Sequence, residues 1–152
     1  MENAPGTWAF GGEGADIPNL SNCDDDEPVS CGTDGKANTE AIITFGKTNN
    51  ISYPAAEYCY NYITTDTKAG EWFLPSYTEL KSIYDEKNAI NATLSSLGKS
   101  TIPEDEYTLY WSSTETNSDG SWGFNMKLRE ESLDLFKNEN EHYVRPVIQY
   151  SN

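Results

Sequence analysis

Apolar positions recur with a helical period through the middle of the chain and with a strand period after Gly98. In residues 53–63, Ala55, Tyr58, Cys59 and Tyr62 fall three and four apart and make one helical face. Pro54 suits the first turn of that helix, where its missing N–H has no partner to lose. After Ser76 the same spacing groups Tyr77, Leu80, Ile83 and Tyr84. Over about 89–97 it groups Ile90, Leu94 and Leu97, with Gly98 as a left-handed cap. Residues 38–43 read as a short helix capped by Asn38 and ended by Gly46 and Asn49-Asn50. A strand is the alternative there, because Ile42, Ile43 and Phe45 are good strand formers.

The corner between these regimes is Trp72-Phe73-Leu74-Pro75-Ser76-Tyr77-Thr78-Glu79-Leu80. Trp72, Phe73 and Leu74 predict a short buried strand, which Pro75 stops because it has no N–H for a ladder. Ser76 and Glu79 have the S-x-x-E spacing of a capping box, in which each side chain satisfies the other's backbone N–H. Residues 6–12 alternate enough for a first strand, and 12–35 is a Gly-, Pro-, Asn- and Asp-rich loop. Residues 107–114 form a strand. Trp122, Phe124, Met126 and Leu128 alternate with polar or small residues as a half-buried strand. Further strands cover 133–137 and 142–150, with turns at 117–120, 129–131 and 138–141. Pro146 marks an edge or bulge in the last strand.

This order predicts one α+β domain: a loop-rich part over 1–35, a helical part over 36–98 and an antiparallel meander of about four strands over 99–152. Two main helices pack on one side of a twisted antiparallel sheet. The length of 152 residues suits a single domain with a proper core, and 12% aromatic content argues against disorder. The balance of 25 acids against 10 bases, −15 net, repels phosphate backbones, so nucleic acid is not an expected partner. No run of 18 apolar residues predicts membrane insertion. Polar and turn residues follow Met1 directly, which points to a leader or anchor in a longer parent protein.

Chemistry-bearing residues are sparse. Cys23 and Cys31 flank the short acidic loop of Asp24, Asp25, Asp26 and Glu27. If they are oxidised to a disulfide, closing that loop contributes about 2–3 kcal/mol and indicates an exported protein. Zinc is the alternative, but the chain has one His and no zinc spacing. Cys59 is left over as a buried thiol. The Asp24–Glu27 cluster is the best of several acidic clusters for Ca²⁺, which takes six to eight oxygens; no other cofactor is implied. His142, the one His, would have to serve as any histidine base, and reads as a surface His at a strand start. No G-x-S-x-G, P-loop or H-E-x-x-H is present. Arg145, beside Pro146, reads as half-buried and paired with an acid.

Five segments occur in order: Asp34-Gly35-Lys36-Ala37-Asn38-Thr39, Ala55-Ala56-Glu57-Tyr58-Cys59, Trp72-Phe73-Leu74-Pro75-Ser76 with Glu79-Leu80, Tyr110-Trp111-Ser112-Ser113-Thr114-Glu115, and Tyr143-Val144-Arg145-Pro146-Val147. Together they resemble a bacterial family of domains of unknown function typified by the C-terminal domain of a collagen-like adhesin. The resemblance implies a C-type-lectin-like fold, related to the formylglycine-generating-enzyme type and to the variable proteins of diversity-generating retroelements. It implies a secreted or surface-attached protein used in adhesion or ligand display. It also implies scaffold roles for Trp72, Leu74, Pro75, Trp111 and Arg145. The sequence departs from the calcium-dependent lectins: E-P-N or Q-P-D followed by W-N-D is absent, and Glu27-Pro28-Val29 is the nearest approach. The paired copper-binding cysteines of a formylglycine-generating enzyme are absent too, which ranks that enzyme last.

The expected function is therefore non-enzymatic: an extracellular or cell-surface module, monomeric in isolation, binding a glycan or a partner protein through its strand-connecting loops. A structural tip or stalk domain without a small ligand is the alternative. Candidate contacts are Tyr107, Asn117, Asp119, Trp122, Asn125, Asn140 and His142, which combine donors, acceptors and flat apolar area. Sulfated glycosaminoglycans, which the resemblance suggests, are expected to bind weakly because seven glutamates lie in or beside these loops. Thiol titration of unreduced, unfolded protein is expected to give one thiol; three would refute the bridge.

Overall fold

The computed structural model describes residues 4–10, 15–20, 22–23, 32–103, 108–128, 133–138 and 142–150. It is an α+β structure with four helices, α1 Gly35–Asn49, α2 Pro54–Asn61, α3 Tyr77–Asp85 and α4 Lys87–Ser96. Its strands are β1 Ala4–Gly6, β2 Trp72–Phe73, β3 Leu109–Glu115, β4 Gly120–Asn125, β5 Leu133–Phe136, β6 His142–Val144 and β7 Val147–Ile148. Among the described residues no helix is long and apolar enough to cross a membrane.

The capping box forms as the spacing predicts. Ser76 Oγ accepts from Glu79 N at 3.3 Å, and Glu79 Oε2 accepts from Ser76 N at 2.8 Å. Burial pushes the Glu79 carboxyl above its ordinary range, opposed by these Ser76 bonds. The end of α4 also follows expectation. Gly98 sits at φ +64°, its N–H donates to Ser95 O at 3.0 Å, and Lys99 N donates to Leu94 O at 2.8 Å, a Schellman closure.

Residues 38–43 are helical, but Asn38 is not the cap. Asp34 takes that place, accepting from Ala37 N at 3.0 Å, and α1 runs to Asn49, closed by Asn50, which is left-handed at φ 56°. The two residues compete as caps on local chemistry. Asn38 lies inside the first turn, its N–H donating to Asp34 O at 3.0 Å and its Nδ2 to Ser113 Oγ at 3.3 Å. Gly46 lies inside α1, where a Cβ would come 2.7 Å from Ile51 O and 3.0 Å from the Tyr53 ring. It serves close approach and does not end the helix.

The predicted meander is corrected in its last step. The main sheet has the order β1-β6-β3-β4-β5. β6 lies parallel to β3, with Tyr110 opposite Tyr143, and antiparallel to β1; β4 joins β3 and β5 in antiparallel register. The N-terminal segment is fastened here by two tryptophans. Trp111 Nε1 donates to Gly6 O at 2.8 Å, and Trp8 Nε1 to Ser112 O at 2.9 Å. Residues 142–150 do not form one strand: the chain leaves the main sheet at Arg145-Pro146, and β7 pairs with β2 in a separate two-stranded sheet. Arg145 is buried, not half-buried. Burial lowers its pKa, which the neighbouring Tyr110 opposes.

Helices cover both faces of the main sheet, not one. Trp111 joins the core under α1 and α2 with Ile42, Tyr53, Ala55, Cys59 and Leu74. Its neighbour Tyr110 joins the core under α3 with Leu80, Trp122, Phe124 and Met126. β3 is accordingly buried at six of seven positions, the pattern of a strand covered on two sides. Its register against β4 shifts by two residues between Trp111 and Glu115. Hydroxyls fill the gap: Ser112 Oγ donates to Trp122 O at 2.6 Å, and Ser121 Oγ reaches Ser112 O at 3.1 Å and Thr114 O at 3.0 Å.

β3 ends in a buried ion pair. Lys137 Nζ donates to Glu115 Oε1 at 2.5 Å, with both side chains at 0% exposure. It also donates to Ser118 O at 2.8 Å and Ala15 O at 3.3 Å, and lies 4.9 Å from the Trp8 ring centroid. Burial raises the Glu115 carboxyl above its ordinary range, and the Lys137 ammonium opposes that rise. Burial, with the Glu115 charge added, pushes the Tyr53 hydroxyl up to about 12. Cys23 is disulfide-bonded and Cys59 is a free, buried thiol; Cys31 lies outside the described residues.

These contacts make three expectations for stability. Ser76→Ala is expected to lose about 1 kcal/mol in urea denaturation. Gly35→Ala should lose about 1–3 kcal/mol or more, because its Cβ would press on the Glu79 carboxylate and on Ser76 N, where the starts of α1 and α3 abut. A Ser76→Ala protein as stable as wild type would sink the cap. Lys137→Met and Glu115→Leu are each expected to cost about 3–5 kcal/mol, and the double variant clearly less than their sum. Additive losses would show that the two side chains are not coupled.

Candidate functional site

α2 begins where Glu57 can hold its first turn. Glu57 Oε1 accepts from Tyr53 N at 2.9 Å and Oε2 from Ser52 Oγ at 3.2 Å. A carboxylate at a helix N-terminus is also favoured by the helix dipole. One turn later Asn61 Nδ2 donates to Glu57 O at 2.9 Å. The helix turns Ala55, Ala56 and Cys59 inward, and burial pushes the Cys59 thiol well up.

The remaining side chains of α2 line two clefts. One, of about 530 Å³, lies between α1 and α2 and carries Lys47, Asn50, Ser52 and Tyr60. The other, of about 540 Å³, adjoins β1 and β6 and carries Pro54, Tyr58, Tyr62, Ile63 and Val144. Glu57 and Asn61 line both. The tyrosines are buttressed. Gly70, at φ +86°, donates its N–H to Tyr60 O at 2.7 Å, and its Cβ position lies 3.3 Å from the Tyr60 ring. Lys47 Nζ stands 5.5 Å from that ring's centroid. Tyr62 packs edge-on to Trp72 with centroids 5.0 Å apart, and Trp72 is held by its Nε1 donating to Thr67 Oγ1 at 2.8 Å. Flat rings, a carboxylate fixed at both oxygens, an ammonium and amide groups suit a polar ligand with apolar faces. A further cleft, of about 510 Å³, is more apolar and is walled by Phe73, Ile83, Ile90 and Ile148, with Arg145 in its lining.

Among the described residues, the expected ligand contacts do not form one group. Asn117 and Asn125 lie at opposite ends of β4, roughly 20 Å apart at strand rise. Each makes a turn: Asn117 Oδ1 accepts from Asp119 N at 2.8 Å and Gly120 N at 3.0 Å, and Asn125 Oδ1 from Lys127 N at 2.8 Å and Leu128 N at 3.0 Å. Asn125 is buried, and so is Trp122, whose indole packs on Tyr77 and donates to Cys23 O at 3.0 Å. Neither offers a ligand surface, which corrects the expectation for both. The alternation over Trp122, Phe124 and Met126 holds, and all three lie in one core. Asp119 is exposed on the β3–β4 turn. His142 is half-buried, edge-on to Trp111 at 4.9 Å between centroids. Tyr107, Asn140 and the Asp24, Asp25, Asp26 and Glu27 cluster lie outside the described residues. Among the described residues no group of three or more His, Cys, Asp or Glu is placed to hold a metal ion. Trp72, Leu74, Pro75, Ser76 and Trp111 are buried, and Glu79 binds back to Ser76.

Lys47, Asn50, Glu57, Tyr60 and Asn61 fall outside the helical face of Ala55, Tyr58, Cys59 and Tyr62 and were not expected as site residues. A signal exists in Tyr58-Cys59-Tyr60-Asn61-Tyr62. Residues two apart on a helix lie on opposite sides, so Tyr58 and Tyr60 cannot share a face. Tyr62, moreover, is the C-cap at ψ 130° and leaves the helix altogether.

The family model described as Lcl C-terminal domain matches residues 23–148. No curated protein and no solved structure matches the chain.

Proposed function

The chain belongs to the Lcl C-terminal domain family, and from that membership we propose that it is a non-enzymatic binding module of a secreted or surface protein, with a C-type-lectin-like fold, whose ligand is a glycan held in the clefts along α2. The observation that carries this reading is the Glu57 carboxylate, fixed by Ser52 and Tyr53 at the shared wall of two tyrosine-lined clefts. Vicinal hydroxyls can donate to such a carboxylate while a tyrosine ring meets the C–H face of a sugar. Binding is favoured over catalysis because both Glu57 oxygens are tied to neutral donors, an arrangement that orients the group and suits it poorly to shuttling a proton. The α+β arrangement, with a C-terminal strand returned beside an N-terminal one, is compatible with the lectin-like fold.

A glycan array followed by titration tests the reading. Tyr60→Ala and Asn61→Ala are each expected to weaken the glycan found by about tenfold or more, 1.4 kcal/mol; the exposed Asn61 variant should keep its melting temperature, while loss of the Tyr60 ring, which packs on the core, should lower it. Asn117→Ala should instead lower stability and leave affinity alone. Wild-type affinity in both α2 variants would remove this surface, and an array without hits would favour a structural tip or stalk domain.

A further inference from the structure

We infer that α2 seats the interior of an uncharged polysaccharide bearing N-acetylhexosamine, laid across the helix so that neighbouring sugars occupy both clefts; this rests on the glycan reading above. The clefts have nearly equal volumes, about 530 and 540 Å³. Each lies in the lower half of the usual range for small-ligand sites, about 300–1,000 Å³. They are not separate pockets, since Glu57 and Asn61 serve as a wall of each. Those two residues are four apart, so they stand on one line of the helix surface. A reader of chain ends needs one closed pocket; two open clefts joined across a ridge match a ligand that continues in both directions.

The two sides differ in chemistry. The α1 side presents Lys47 and Asn50 around the Tyr60 ring and suits a hydroxyl-rich edge. The β1 side sets Pro54 and the exposed Ile63 beside the shared Asn61 amide, over the buried Val144. An acetamido group fits that pairing, with its methyl on the apolar wall and its amide on Asn61. Ile63 is 63% exposed, which leaves this wall open to a ligand. Charge excludes polyanions: the chain carries −15, and Glu57 stands on the ridge.

Calorimetric titration with N-acetylglucosamine and its β-1,4-linked oligomers of two to six units tests this. Affinity is expected to rise at least about tenfold from monomer to tetramer, as linked subsites require. Tyr60→Ala and Ile63→Ser are each expected to remove most of that gain and leave weak, length-independent binding. Ile63 is an exposed side chain, so its variant keeps the test open if Tyr60→Ala disturbs the fold. Length-independent binding by the wild type would overturn the two-cleft inference and leave the glycan reading standing. So would an undiminished gain in the Ile63→Ser protein. Absence of saturable binding by any oligomer up to about 10 mM, a range that covers even very weak sites, would overturn the inference. If the array also gave no hit, the glycan reading would fall with it.

Discussion

A strand covered on both faces has no water for its polar side chains, and β3 carries Ser112, Ser113, Thr114 and Glu115 in that position. Burying such groups unpaired costs about 1–3 kcal/mol each, so each needs a partner within the fold. The partners come from different elements. Ser112 bonds across to β4, and Ser113 meets Asn38 of α1. Thr114 Oγ1 accepts from Tyr77 N at 3.0 Å, at the start of α3, and Glu115 holds Lys137 just beyond β5. The polar run thus places a helix on each face and closes the far end of the sheet. Hydrophobic burial is non-directional and would permit many packings of four helices on this sheet. Hydrogen bonds from one buried strand select among them.

Lys137 extends the same logic to the N-terminal segment. Its ammonium binds Ala15 O and Ser118 O, its own N–H donates to Asp119 O at 2.9 Å, and its carbonyl accepts from Ala9 N at 2.9 Å. One residue therefore joins the first segment of the chain, the β3–β4 turn and the end of β5. A buried ion pair adds little net stability over apolar residues of similar shape. What it adds here is a reason for those three segments to meet in one register.

Local signals were legible in the sequence wherever the structure depends on neighbours a few residues apart. The Ser76 box, Pro54 at the start of α2, the Gly98 cap and the β4 alternation all follow from contacts within five residues. Non-local choices were hidden. Asp34 and Asn38 share one capping chemistry, and no neighbour within a few residues reveals that Asn38 instead meets Ser113, seventy-five residues away. The parallel pairing of β6 with β3 depends on β1 arriving from the other end of the chain. The loop asparagines look like ligand contacts because turn-makers and ligand contacts share one chemistry; only the Asn117 and Asn125 bonds to their own backbone separate the two uses. The clefts were out of reach for a further reason: their walls join α2 to α1, β1 and β6, which no sequence period relates.

Three glutamates show how surroundings divide the work among chemically identical side chains. Glu115 is sealed from water and needs a cation. Glu79 is partly buried at a helix start, satisfied by Ser76 and raised in pKa by its burial. Glu57 is also fixed at a helix start, but it remains half-exposed where two clefts meet. The bonds that begin α2 are the same bonds that aim the Glu57 carboxylate. Its orientation therefore comes with folding and requires no separate ordering when a ligand arrives, which is the condition for a shallow, open site to hold a flexible chain.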